Sequence, residues 1–144
     1  MYRDDYLLRI VRQLAEAGAR ALGLRAKNPD EALETIEAAK RALPLVPGAH
    51  DSLSAATVLE LLGGIETALG LAQLYRAEAE VRAQLGDPEA ASRSARRALQ
   101  FFVEAARGGP ISESETALFR ELALLHLSRA RLPAGSIAAL GLPG

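Results

Sequence analysis

The chain has 144 residues, of which 17 are basic and 18 acidic, and its net charge is -1. Nucleic-acid-binding proteins usually carry a basic excess, and anionic membranes attract clustered basic residues, so this balance argues against both kinds of partner. The chain contains no cysteine, which excludes disulfides, thiolate metal sites and cysteine nucleophiles.

The composition also favours helices over strands. Alanine, the residue with the best helix propensity, occurs 29 times, whereas the aromatic residues that sheets favour make up only 4% of the chain. Charged residues interrupt the first ten positions, and no apolar stretch reaches about 18 residues. We therefore expect neither a signal peptide nor a membrane-spanning segment, and a cytoplasmic location.

The first two predicted helices are marked by apolar periodicity and by proline. Apolar residues recur every three or four positions from about Asp4 to Leu24, which indicates one amphipathic helix. Asn28 followed by Pro29 is typical of a cap and a first helical residue. The second helix should continue from there to Leu43, because Pro44 cannot extend it.

A shorter helix is predicted at residues 51–62, with Ser52 or Ser54 as its cap. The Gly63-Gly64 pair then separates it from a fourth helix at residues 65–85, since paired glycines disfavour a continuous helix.

The fifth helix is predicted at residues 88–107, after the turn Gly86-Asp87-Pro88. Glycine ends one helix there, aspartate caps the next and proline opens it. The apolar positions predicted to be buried are Ala91, Ala95, Ala98, Leu99, Phe102 and Val103.

Ser112 and Glu115 match a capping box, which predicts a sixth helix from there to about Arg131. Its core should include Leu118, Leu122 and Leu125. We expect residues 1–132 to form a single helical domain and residues 133–144 to form an apolar tail broken by glycine and proline.

One segment of the chain, residues 71–103, resembles a tetratricopeptide repeat, which consists of two helices in about 34 residues. The residues that carry the resemblance are Tyr75, Ala79, Gly86-Asp87, Ala91 and Ala98-Leu99. The segment Asn28-Pro29-Asp30-Glu31-Ala32 is similar to the same turn and second helix. The resemblance implies an all-α fold of about six helices in antiparallel hairpins, arranged as a tetratricopeptide-like right-handed array. An up-down helical bundle is the second possibility.

The whole chain also resembles an uncharacterised family of small bacterial helical proteins, which opens with the pattern Asp-Tyr-x-Leu-Arg-Ile. Residues 5–10 carry that pattern here. The resemblance implies a fold rather than an activity.

The sequence contains no recognisable catalytic, cofactor or metal motif, so we predict neither an enzyme nor a bound cofactor or metal. His50 and His126, the only two histidines, lack a partner at a ligand spacing. Acidic and basic residues mostly stand four apart, as Glu78 and Arg82 do, which is typical of pairs on a solvated helix face.

Three sets of residues are candidate binding sites. Gln73, Arg76, Glu80 and Gln84 form one stripe on the fourth helix and are predicted to line a partner-binding groove, the alternative being a solvated face. Arg93, Arg96 and Arg97 form a patch that could bind phosphate or an acidic partner, the alternative being again a solvated outer face. Tyr2 and Tyr6 are candidate dimer contacts, because tyrosine is enriched at interfaces, although they could equally pack within the molecule.

The function predicted from these features is a protein–protein interaction scaffold or a self-associating homodimeric module. The alternative is a small-molecule sensor or enzyme with a pocket between helices, for which Glu78, Glu80, Arg82 and His126 are available. Close packing predicts that Ala98→Leu is destabilising, and the outer-face interpretation predicts that Arg97→Ala is nearly neutral.

Overall fold

Every regular element in the described part of the chain is helical, which confirms the predicted all-α class. The computed structural model describes residues 2–46 and 48–144, with side chains from residue 5 onward. The helices are α1 (Tyr2–Leu24), α2 (Pro29–Arg41), α3 (Ala49–Ser52), α4 (Ala55–Leu62), α5 (Ile65–Gln84), α6 (Pro88–Gly108), α7 (Glu113–His126) and α8 (Ser136–Leu140), with a 3-10 turn at Arg129–Arg131.

Side-chain caps begin the helices where the sequence predicts them. Asn28, Asp87 and Ser112 each accept a hydrogen bond from the backbone N–H three residues further on. Ser54, rather than Ser52, caps α4 in the same way. Gly86, at φ 78°, adopts the left-handed conformation that ends α5.

Two predicted helix boundaries are wrong. The helix predicted at residues 51–62 is divided into α3 and α4, because Leu53 between them is extended at φ -79° and ψ 155°. The sixth predicted helix ends at His126 instead of Arg131, since Leu127 is also extended. The chain turns at both points so that the following segment packs onto α6.

The buried face of α7 also differs from the prediction. Leu122 is buried as predicted, but Leu118 and Leu125 are 40% and 64% exposed, and Phe119 and Ala123 occupy the core instead. The rings of Phe119 and Phe102 stack with their centroids 4.6 Å apart. This aromatic contact buries more area than a leucine would and sets the rotation of α7.

The tail after Pro133 includes a short ordered helix. Leu140 of α8 is fully buried against α6 and α7, and Arg120 Nε donates to its carbonyl oxygen at 2.9 Å.

The long helices pair as the sequence predicts, α1 with α2 and α5 with α6. The α5–α6 pair is antiparallel, because Ile65 lies against Gly108 at one end and Glu78 contacts Ser94 near the other. The alanines predicted to face this contact, Ala91, Ala95 and Ala98, are fully buried.

Glycines allow the two hairpins to approach closely. Gly18 of α1 lies against Leu74 of α5, and Gly70 lies against Leu14. Higher residue numbers in α1 meet higher numbers in α5, so the first helices of the two hairpins run parallel. A Cβ atom added at Gly70 would be only 3.3 Å from Leu14 Cδ1, which shows how little space separates the helices.

The buried alanines generate a stability prediction. Ala98→Leu should lower the free energy of unfolding by about 1–3 kcal/mol, because the larger side chain overpacks the contact between α5 and α6. Denaturant unfolding measures the change. The control is Ala83→Leu on the exposed face of α5, which should change stability by less than about 0.5 kcal/mol. Equal losses in the two variants would contradict this account of the packing.

Candidate binding cleft

An open cleft of about 1050 Å³ lies between α2, the α3–α4 segment, α5 and α6, and Pro133 and Ala134 close one side. It contains six basic and four acidic side chains. These are Glu37, Lys40, Asp51, Glu78, Arg82, Arg93, Arg96, Arg97, Glu104 and Arg107.

The floor of the cleft contains a buried ion pair. Lys40 Nζ of α2 lies 2.5 Å from Glu78 Oε2 of α5, and the two side chains are 3% and 5% exposed. The other oxygen of Glu78 accepts a hydrogen bond from Ser94 Oγ of α6 at 2.7 Å. Each buried charge therefore has a partner, as burial requires.

This pairing corrects the interpretation of Glu78 and Arg82 as a solvated surface pair. Glu78 is buried, and Arg82 Nε stands 3.9 Å from it, much farther than Lys40 Nζ. The salt-bridging partner of Glu78 comes from another helix, 38 residues away along the chain.

Lys40 also joins this pair to neighbouring groups. Its Nζ atom lies 3.6 Å from Glu37 Oε1 and 3.5 Å from Asp51 Oδ1. It also lies 4.6 Å from the centre of the Tyr75 ring, within the range of a cation–π contact. One ammonium group therefore contacts α2, α3 and α5.

Tyr75 and Asp51 connect α5 to the short helix α3. The Tyr75 hydroxyl donates to Asp51 Oδ1 at 2.7 Å and lies 2.9 Å from the His50 carbonyl oxygen. Burial raises the pKa of Tyr75, and the hydrogen bond and charge of Asp51 raise it further. Partial burial tends to raise the pKa of Asp51, but the Tyr75 hydrogen bond and the Lys40 charge outweigh it, so the net pKa is lowered.

Arg97 holds α3 against α6, which corrects its placement on a solvated outer face. Its guanidinium group donates to the carbonyl oxygens of His50 and Leu53, with the shortest distance to each 2.6 Å. It also lies over the Phe101 ring at 4.7 Å. The near-neutral effect expected for Arg97→Ala assumed a solvated side chain, and that assumption is wrong. Truncation would remove the donor of the part-buried Leu53 carbonyl and would leave the His50 carbonyl with the Tyr75 hydroxyl alone.

Arg93 and Arg96 have a different environment from Arg97. Both are exposed on the cleft wall, and no described carboxylate lies within salt-bridge distance of either. Arg96 Nε donates to the Arg131 carbonyl oxygen at 3.1 Å. Of the three arginines in the predicted patch, Arg97 therefore stabilises the fold, and Arg93 and Arg96 are free to bind a ligand.

The predicted polar stripe lies outside this cleft. Arg76 Nε donates to Gln73 Oε1 at 3.0 Å, and Glu80 Oε1 lies 3.3 Å from His126 Nε2 of α7. Gln84 is exposed. The face of α5 that lines the cleft carries Tyr75, Glu78 and Arg82 instead, and partner binding by the stripe stays a prediction.

The remaining candidates are dispersed. Tyr6 is 46% exposed on α1, and the side chain of Tyr2 lies outside the described residues. His50 Nε2 stands 3.4 Å from Asp51 Oδ2, but within residues 2–46 and 48–144 no three His, Asp or Glu side chains are grouped to hold a metal. None of the described helices combines the length and the apolarity needed to cross a membrane.

No protein-family model, curated protein or solved structure matches the chain. Both resemblances drawn from the sequence, the homodimeric state and the cytoplasmic location therefore stay predictions.

The sequence did contain a signal for the buried pair. Ala32, Ile36 and Lys40 stand four apart, so Lys40 belongs to the buried face of α2. Glu78 likewise follows Leu71 and Leu74 by seven and four residues, which places it on their apolar face of α5. A charged residue on a buried stripe requires an opposite charge on another element, but the sequence does not say which element supplies it.

Breaking the buried pair should be strongly destabilising. Lys40→Met leaves Glu78 buried without its counter-ion and should lower the free energy of unfolding by about 3–5 kcal/mol. The matched control is Arg41→Met, which removes a basic residue from an exposed pair with Glu34 and should cost less than about 1 kcal/mol. Combining Lys40→Met with Glu78→Leu should recover much of the loss. Similar losses for Lys40→Met and Arg41→Met in denaturant unfolding would contradict the assignment.

The lowered pKa of Asp51 predicts a pH dependence of stability. A carboxyl whose pKa is lower in the folded state than its unfolded value of about 3.9 stabilises the fold above that pH. This stabilisation disappears as the pH falls through the lowered pKa. Asp51→Asn should therefore lower the free energy of unfolding at about pH 6, and the difference from wild type should shrink towards about pH 2. Urea unfolding across that range measures the difference, and a pH-independent difference would show that Asp51 is not stabilised in its charged form.

Proposed function

We propose that the chain is a protein-interaction module that binds an extended segment of a partner protein in the cleft along α6. The observation that carries the proposal is the open cleft itself, with available basic side chains on its α6 wall. The cleft is lined by α6 from Ala90 to Arg107, a length of about 25 Å at 1.5 Å per residue. An extended peptide of about seven or eight residues has that length.

The ordered floor of the cleft supports this function. Lys40, Glu78, Ser94 and Tyr75 are buried and bonded to one another or to neighbouring groups. A floor with fixed side chains loses little conformational entropy when a partner binds, which favours affinity.

The resemblance to tetratricopeptide repeats also enters the proposal. We take α1–α2 and α5–α6 as two stacked hairpins of a right-handed array, an arrangement that agrees with the parallel packing of α1 on α5. Helical arrays of this kind present extended surfaces for binding. The α3–α4 segment, inserted between the hairpins, forms one wall of the cleft here.

A small-molecule site is the second candidate, favoured by the buried polar groups at the floor. Pockets for small ligands usually enclose about 300–1,000 Å³ and bury most of the ligand, whereas this cleft, at the upper end of that range, is open to solvent. Because the floor groups already bond to one another, they offer few free atoms to a ligand. A protein segment fits the geometry better.

Panning a phage-displayed library of random peptides tests the proposal. Peptides selected on the wild-type protein should bind the Ala56→Trp variant at least about tenfold more weakly, because Ala56 is exposed and lines the cleft. Fluorescence anisotropy with synthetic copies of the selected peptides measures the affinity. Ala83→Trp, at an exposed helical position outside the cleft, is the matched control and should bind normally.

Other outcomes separate the alternatives. Failure to select any peptide, or equal binding by the Ala56→Trp variant, would contradict the proposal. Thermal shifts with small metabolites that Ala56→Trp abolishes would favour the sensor. A concentration-dependent dimer that Tyr6→Ser dissolves would favour self-association through the exposed Tyr6 surface.

A further inference from the structure

We infer that the segment bound in the cleft is acidic, and that Arg93 and Arg96 bind its carboxylates. This inference rests on the proposed function and adds the chemistry of the partner. It follows from the charge balance in the cleft, from the free donors of the two arginines, and from the features that disfavour a polyanion.

The four carboxylates of the cleft already have basic partners within it. Glu37, Asp51 and Glu78 all lie within salt-bridge distance of Lys40. Glu104 pairs with Arg107 at 2.9 Å. In the described part of the chain, the cleft cations without a carboxylate partner are Arg93, Arg96 and Arg97.

Arg97 is not available to a ligand. Its Nε and one terminal nitrogen bind the carbonyl oxygens of His50 and Leu53, and its other terminal nitrogen donates to Gln100 Oε1 at 2.9 Å. One of its five donors at most remains free. Arg97 therefore serves the fold, although it adds positive charge to the wall.

Arg93 and Arg96 keep their donors free for a ligand. Among the described residues Arg93 donates to no hydrogen-bond acceptor, and Arg96 uses only Nε, towards the Arg131 carbonyl oxygen. The two residues stand three apart on α6, so their Cβ atoms are neighbours, about 5–6 Å apart. Two adjacent guanidinium groups suit one carboxylate bound from both sides, or two carboxylates on neighbouring residues.

The same surroundings argue against a nucleic acid or a long acidic run. Single-stranded nucleic acids usually bind on exposed aromatic side chains, but the aromatic ring in this cleft, that of Tyr75, is 1% exposed. The cleft has six basic and four acidic side chains, and this excess of two positive charges is too small to hold a long run of evenly spaced negative charges. The observations favour a peptide with one or two carboxylates placed beside the N-terminal half of α6.

Panning one random peptide library against matched variants tests this inference. Wild type should enrich peptides with one or two Asp or Glu residues, and replacing those residues by Asn or Gln should weaken binding on the order of tenfold. The double variant Arg93→Gln/Arg96→Gln should weaken binding of the same peptides at least as much and should no longer enrich acidic sequences. The double variant Arg9→Gln/Arg12→Gln, at two exposed arginines three apart on α1 and outside the cleft, removes the same charge and should behave as wild type.

Stability and salt provide independent readouts. Arg93→Gln and Arg96→Gln should change the melting temperature little, because Arg93 makes no hydrogen bond among the described residues and Arg96 makes one exposed bond, to Arg131. Arg97→Gln should lower the melting temperature, because Arg97 alone of the three arginines binds α3. Peptide affinity should fall as sodium chloride rises and screens the charges.

The failures of the two proposals are distinguishable. Selected peptides that are not acidic, but that Ala56→Trp still excludes, would overturn this inference and leave the proposed function standing. Acidic peptides that bind the double variant as well as wild type would also overturn it. Tight binding of a labelled polyuridine that the double variant loses would assign the arginines to a nucleic acid instead. No peptide binding at all would overturn both proposals.

Discussion

The structure depends most on the buried ion pair between Lys40 and Glu78. Neither charge can be buried alone without a large loss of hydration energy, so the helices that carry them must meet at one register. Ser94 extends the same contact to α6 and Asp51 extends it to α3. Four helices therefore meet at one ammonium group and one carboxylate group, and the candidate cleft opens directly above them.

Small residues allow the helices to approach closely, but they do not select one register of helix packing over another. Alanines along α6 and the glycines Gly18 and Gly70 bring helix backbones close together. Because alanine side chains are small and identical, two helices that pack through alanines could shift along each other by one turn with little loss of packing energy. A directional polar network distinguishes between registers, since a shift of one turn would leave a buried charge unpaired. We therefore expect the network to specify the arrangement that the small residues make possible.

The α3–α4 segment forms a wall of the cleft that the two long helical hairpins alone would not provide. Arg97 binds the carbonyl oxygens of His50 within α3 and of Leu53 just beyond its end, and the Tyr75 hydroxyl contacts the same helix from α5. These contacts hold α3 and the start of α4 as one wall of the cleft. The three neighbouring arginines of α6 therefore have different roles. The one that faces α3 serves the fold, and the two beside it remain available to a partner.

The sequence by itself determined the helical class, the capped helix starts and the burial of the alanines, because each depends on local propensity or on spacing along one helix. It also determined the pairing of the long helices, because short connections force consecutive helices to pack antiparallel. It did not determine which face of α7 is buried or where α3 ends. It also did not determine that Glu78 forms its close salt bridge with Lys40 instead of Arg82. Those outcomes depend on which helices meet, and residues 38 positions apart carry no mutual signal in a single sequence. Only the tertiary structure brought Lys40, Glu78 and Arg97 to one cleft. A buried charge is stable only beside a partner that bonds to it, and the order of residues along the chain does not show which residue that partner is.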